Sequence, residues 1–131
     1  MEKLANIWKI EMHGGSQVSR WHEVGRTARR DQAIAQGYAL ISRARQGGVR
    51  VWVGDGGYVA AAWWLRHASG ARPIAIAFCI GCGCDDVHAC MGEDCEPCAW
   101  VAKDGSVGLC SSCAHEMPRW RAGDRTMKVT L

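Results

Sequence analysis

All eight cysteines of this chain fall within 35 residues, Cys79 to Cys113, and that crowding limits what the chain can fold into more than any other feature. The segment reads Cys79-Ile80-Gly81-Cys82-Gly83-Cys84, then Cys90, Cys95-Glu96-Pro97-Cys98 and Cys110-Ser111-Ser112-Cys113. A two-residue gap lets both thiolates of a Cys-x-x-Cys pair turn toward one ion about 2.3 Å away, the arrangement a tetrahedral four-cysteine zinc site requires. Eight sulfurs suffice for two zinc ions. In a nested pairing Cys79, Cys82, Cys110 and Cys113 hold one ion, and Cys84, Cys90, Cys95 and Cys98 the other. A cross-braced pairing joins Cys79 and Cys82 to Cys95 and Cys98, and Cys84 and Cys90 to Cys110 and Cys113. Nesting is preferred because its inner ligands are contiguous. An iron–sulfur cluster is the rival cofactor, since Cys-x-x-Cys does not distinguish the two. Gly81 and Gly83 suit tight knuckles, where backbone conformations open to glycine are needed.

Whether such cysteines are read as disulfides or as ligands depends on compartment. No apolar run approaches the ~20 residues that span a bilayer. The opening Met1-Glu2-Lys3-Leu4-Ala5-Asn6-Ile7-Trp8-Lys9 is too polar for a signal peptide. The expectation is a cytoplasmic protein with reduced, metal-binding thiols and no membrane contact. Charge divides unevenly along the 131 residues. Residues 1–75 carry eleven basic and five acidic side chains, and residues 76–131 carry five and eight, for a total of +3. The cysteine segment is thus acidic, so contact with a phosphate backbone would fall to the first half or the tail.

The first half reads as a small α+β unit of ββαββ type. Trp8, Ile10 and Met12 alternate with Lys9 and Glu11 as in a half-buried strand, and Val18 to Val24 reads as its partner after the turn Gly14-Gly15-Ser16. Thr27 is the expected N-cap of a helix reaching about Gln46, with Ile34, Tyr38 and Ile41 as its buried stripe, Arg43 and Arg45 in its last turn and Gly47-Gly48 as its stop. Val49, Val51 and Val53 predict a third strand and Asp55-Gly56-Gly57 a turn; Tyr58 to His67 fits a helix by its alanines or a hairpin strand by its valine and tryptophans, and a fourth strand over 58–64 is preferred. After a break at Ser69–Pro73, Ile74 to Phe78 predicts a strand running into Cys79. The organisation expected is an α+β domain over 1–75, a metal-binding module over 76–116 and a basic C-terminal tail over 117–131.

Within the module, Asp85, Asp86, Glu93, Asp94 and Glu96 read as a solvated acidic face. Trp100 and Val101 read as an apolar cap over the sulfurs, and His115 as a surface residue. His88, two residues before Cys90, reads as a solvated loop histidine and is the alternative metal ligand. The string Cys-x-x-Cys-Gly-Cys followed by Ala89-Cys90, Pro97-Cys98-Ala99-Trp100-Val101 and Leu109-Cys110-Ser111-x-Cys113 resembles a cysteine cluster of small, mostly uncharacterised phage and prophage proteins. Against that pattern Cys95 is extra and the loop from Lys103 to Val107 is longer. If Cys95 stands outside the shared set, His88 is the first candidate to complete the inner site. The resemblance implies metal binding in a phage or prophage setting and no established activity.

Enzymatic signatures are missing. Catalytic zinc keeps an open position, whereas these sites are all-cysteine. Pro97-Cys98 lacks both the second cysteine and the preceding His-x-Glu of deaminases, and His115-Glu116 lacks the second histidine of zinc proteases. The expectation is a zinc-stabilised, non-enzymatic phage accessory protein. Its partner would be a host protein or nucleoprotein, as for an anti-CRISPR-like inhibitor. DNA or RNA binding and iron–sulfur redox sensing are the alternatives. The candidate partner surface comprises Arg26, Arg29, Arg30, Arg43, Arg45 and Arg50 around the helix, and Arg119, Trp120, Arg121, Arg125 and Lys128 in the tail.

Overall fold

The computed structural model describes residues 7–16, 18–53, 57–66, 72–91 and 96–127. The fold is α+β. Strands β1 (Trp8–His13), β2 (His22–Thr27), β3 (Gly47–Val53), β4 (Val59–Leu65) and β5 (Ile74–Ala75) form an antiparallel sheet in the order β2-β1-β3-β4-β5. Helix α1 (Arg30–Arg43) carries the chain from β2 across β1 to β3. A smaller sheet, ordered β6-β8-β7, is built from β6 (Phe78–Cys79), β7 (Trp100–Asp104) and β8 (Val107–Cys110). A 3₁₀ segment (Ser111–Glu116) and helix α2 (Met117–Arg121) follow.

The large sheet is covered on both faces. Trp8, Ile10, Val49, Val51 and Leu65 pack with Ala33 and Ile41 of α1. On the other side Trp52, Val59, Ala62 and Trp64 pack with Phe78, Ile80, Leu109, Cys79 and Cys110 of the cysteine segment. All seven residues of β3 are buried, the mark of a central strand between two layers. Backbone bonds lock the layers together: Ile76 N–H donates to Ala62 O at 3.1 Å and Phe78 N–H to Ser106 O at 3.0 Å. The tail is fastened too, Met127 N–H donating to Gly57 O at 2.7 Å.

Several expected boundaries differ. The second strand starts at His22, because Ser16 and Ser19 close a turn of their own, and Val18 is 87% exposed. Thr27 ends β2, and the N-cap of α1 is Arg29, whose N–H the Thr27 hydroxyl accepts at 3.2 Å. Helix α1 ends at Arg43, so Arg45 lies beyond it, and Gly47-Gly48 begin β3. Those glycines serve close packing. A Cβ on Gly47 would collide with His13 O, and one on Gly48 would stand 2.6 Å from the Trp64 ring.

The buried stripe of α1 is Ala33, Gly37 and Ile41, while Ile34 is only partly buried and Tyr38 is 53% exposed. Small residues face the sheet because helix and sheet approach closely. A Cβ on Gly37 would meet Val51 Cγ2 at 2.9 Å and Trp63 at 3.2 Å. The run from Ile74 divides into two short strands, since the chain passes from the large sheet to the small one at Ile76-Ala77. The predicted turn at 55–56, the break at 69–71, and Glu93, Asp94, Cys95 and Lys128 lie outside the described residues.

Crowding at Gly37 makes a prediction. Gly37→Val should lower stability by about 1–3 kcal/mol through overpacking. Gly37→Ala should cost less, because removing a helix-interior glycine returns up to about 1 kcal/mol. Urea denaturation of the metal-loaded protein measures both, and a Gly37→Val protein as stable as the parent would contradict the close approach.

Candidate metal centre

The sulfurs converge beneath the large sheet because short strands, two knuckles and a 3₁₀ segment deliver them. Strand β6 ends in Cys79, and the knuckle that follows is closed by Cys79 N–H to Cys84 O at 2.7 Å and Gly83 N–H to Cys79 O at 2.9 Å. Gly83 has φ +82°, as that tight return requires. Gly81 is needed for space instead: a Cβ there would stand 2.6 Å from Cys113 Sγ. A second knuckle is closed by Cys98 N–H to Cys90 O at 2.8 Å. Strand β8 ends in Cys110, and the 3₁₀ segment carries Cys113.

None of the seven described cysteines is in a disulfide. Cys79, Cys82, Cys84 and Cys110 form one group with all sulfurs within 4.8 Å, and Cys84, Cys90, Cys98 and Cys110 form another. Each group could hold a metal ion. A tetrahedral ion bonded to sulfur at about 2.3 Å sets neighbouring sulfurs about 3.8 Å apart. The separations Cys82–Cys110, Cys84–Cys98 and Cys90–Cys110 are 3.7, 3.6 and 3.8 Å. A disulfide would need about 2.05 Å. Cys84 and Cys110 belong to both sets, and Cys113 neighbours Cys79, Cys82 and Cys110, the other members of the nested outer site. Cys113 lies against the first group, and Cys95 is outside the described residues.

The crowded thiols differ in how readily they ionise. Burial pushes the Cys110 thiol up to about 11, with the neighbouring Cys79 adding to it, and burial drives Cys84 and Cys113 higher still. Burial also raises Cys79, but backbone N–H donors from Cys110, Cys82 and Gly81 outweigh it and leave that thiol below its ordinary range. Its Sγ accepts from Gly81 and Cys110 N–H, each at 3.4 Å. Cys90 falls to about 7, chiefly through the Ser112 hydroxyl 3.4 Å away. Thiols crowded like this resist joint ionisation, whereas a coordinating cation deprotonates them outright.

His88 is exposed, as a loop histidine was expected to be. It is in neither sulfur group. Its Nδ1 lies 3.0 Å from both carboxylate oxygens of Asp85, and its ring packs 5.2 Å from those of His13 and Trp64. Asp85 does not belong to a solvated acidic face, whereas Asp86 is exposed and also hydrogen-bonded. Asp85 is buried and accepts from Val87 and His88 N–H. Asp86 accepts from Ala77 N–H and Trp100 Nε1–H, each at 2.7 Å. Trp100 lies across Gly108, Val101 is 44% exposed, and His115 is exposed.

A buried ion pair lies between the large sheet and the knuckles, and the sequence reading missed it. Arg50, grouped there with the basic surface, is 4% exposed. Its Nε donates to Glu11 Oε1 at 2.8 Å, and the guanidinium sits 4.3 Å from the Trp21 ring and 5.4 Å from that of Phe78. Trp52 Nε1 donates to the same carboxylate oxygen. Glu11 and Arg50 are register partners on β1 and β3. The available signal was the Val49-Arg50-Val51-Trp52-Val53 run, whose polar member shares a face with a tryptophan. Beside this pair a cleft of about 680 Å³ opens between the knuckles and the 15–21 turn, lined by His13, Arg20, Trp21, Trp64, Val87 and His88 among others.

The expected partner residues are scattered. Arg29 and Arg30 stand exposed at the start of α1, and Arg43 and Arg45 are exposed at its far end. Fourteen residues at about 1.5 Å each put those ends about 20 Å apart. Arg26 pairs with Glu23 at 2.6 Å. Arg119 donates to Ile80 O and Thr126 O and pairs with Glu116 and Asp124. Trp120 is buried, with Arg125 stacked 3.5 Å from its ring centre, so it is closed to base stacking, and of Arg119, Trp120, Arg121 and Arg125 only Arg121 is exposed.

Comparison with protein-family models, with curated proteins and with solved structures finds no match. Among the described residues no helix is long and apolar enough to cross a membrane.

The buried pair supports a double-mutant test. Glu11→Leu should cost about 3–5 kcal/mol, because Arg50 is left charged and unpaired. Arg50→Leu in the same chain should restore a large part of that loss. Strictly additive effects in urea denaturation would contradict the pairing.

Proposed function

We propose that this chain is a non-enzymatic, zinc-stapled binding protein of phage or prophage origin that engages a host protein in the bacterial cytoplasm. The observation that carries the reading is the sulfur spacing of 3.6–3.8 Å, the edge length of tetrahedral zinc–thiolate sites. In a four-iron cluster each thiolate takes its own iron, which spreads the sulfurs wider than that edge. All-sulfur coordination leaves no open position for substrate or water, which supports a structural rather than a hydrolytic ion.

A protein partner is favoured over nucleic acid by the placement of charge. The arginines of α1 divide between its two ends, and Arg119 and Arg125 are engaged within the fold. A phosphate backbone asks for a continuous basic track. The knuckle side instead presents the aromatic-lined cleft with Val87 and Met91 exposed, at 41% and 61%. Partly apolar surface of that kind suits a protein contact, as for an inhibitor of a host defence complex.

The test is the metal content of protein purified without oxygen, read with its visible spectrum. Colourless protein with zinc and no iron is the expected result, and brown, iron-containing protein would overturn the zinc reading. Cys79→Ser should abolish soluble folding, because metal-binding energy of about 10–16 kcal/mol is folding energy in such modules. Pull-down from host lysate should then retain a protein after nuclease treatment. Retention that depends on nucleic acid would overturn the choice of partner.

A further inference from the structure

The geometry points to a single binuclear cluster, in which the Cys110 thiolate bridges two metal ions; this rests on the zinc reading above. Cys84 and Cys110 belong to both sulfur groups, and Cys110 is the more buried of the two. Cys110 Sγ lies 3.7 Å from Cys82, a member of the first group only, and 3.8 Å from Cys90, a member of the second only. Both separations match the edge of a tetrahedral thiolate site, so Cys110 occupies a corner of both tetrahedra. Cys84, common to the two groups, and Cys113, packed against Gly81 beside the first, supply the remaining positions.

The fold explains why this sulfur is shared. Cys110 closes β8, the central strand of the small sheet, and is 1% exposed. The Cys79–Cys84 knuckle reaches it through Cys79 Sγ, which accepts its N–H. The Cys90–Cys98 knuckle approaches from the side of Ser111, whose N–H donates to Ala99 O at 2.7 Å. A thiolate has lone pairs for two ions, and two ions each about 2.3 Å from one sulfur lie no more than about 4.6 Å apart. Sharing one thiolate also leaves the cluster one negative charge lower than two closed four-cysteine sites, a gain where Asp85 is already buried nearby.

The decisive experiment loads the full-length chain with ¹¹³Cd and records its one-dimensional and correlated ¹¹³Cd spectra. The proposal expects two cadmium resonances split by mutual coupling through the shared sulfur. Two resonances without coupling, or one resonance with one ion bound per chain, would overturn it. Zinc absorption spectroscopy supplies a second reading: a zinc neighbour inside about 4.6 Å is expected, and its absence would also overturn the bridge. Iron in the native protein would sink the zinc reading on its own, while the cadmium coupling would still report whether Cys110 is shared.

Discussion

Sulfur atoms that would repel one another as thiolates stand 3.6–3.8 Å apart beneath a five-stranded sheet, and the arrangement of the whole second layer depends on what holds them there. The protein around them supplies little regular structure. Strand β6 has two residues and β8 has four, and the knuckles between them are stretches of turn and isolated bridge. Elements this short do not persist alone. On the proposed reading, metal coordination would provide the free energy that their limited hydrogen bonding lacks and would convert a loop-rich segment into a packing surface.

That surface is what the large sheet needs. Its helix-facing side is served by α1, close enough that only Gly37 fits opposite Val51. The opposite side carries Trp52, Ala62 and Trp64, which would be exposed apolar area without Phe78, Ile80 and Leu109 laid over them. The Glu11–Arg50 pair sits within the same interface, with Trp21 and Phe78 against the guanidinium. Buried charge tolerates few alternative packings, so the pair favours one register of β1 against β3 more than it adds stability. The metal centre, the apolar contact and the ion pair are parts of one interface.

Local patterns carried the features that depend on local chemistry. The Cys-x-x-Cys spacing marked sulfurs that come together, valine alternation marked β3, and of the helix and strand readings open after Gly57 the strand is the one found, at 59–65. What the sequence concealed depended on long-range neighbours. Thr27 has the chemistry of an N-cap, yet β2 claims it, and the cap passes to Arg29. Tyr38 fits a helical stripe, but a close-lying sheet selects Ala33 and Gly37 instead. Arg50 and Trp120 read as surface groups because nothing in a single strand or tail announces a second layer above it. The nearness of Cys84 and Cys110 to both sulfur groups was hidden for a related reason: contiguity in sequence says nothing of the strand end of β8, which places Cys110 between the knuckles.

The most direct test of the account is amide hydrogen exchange before and after complete metal removal by a chelator under reducing conditions. The amides to follow are Phe78 and Ile80, bonded to Ser106 and Gly108, and that of Cys110, bonded to Cys79 Sγ. If metal holds the second layer, their protection is lost on chelation and returns when zinc is added back. Unchanged protection at these amides in metal-free protein would show that the layer stands without the ion, and would contradict the account at its centre.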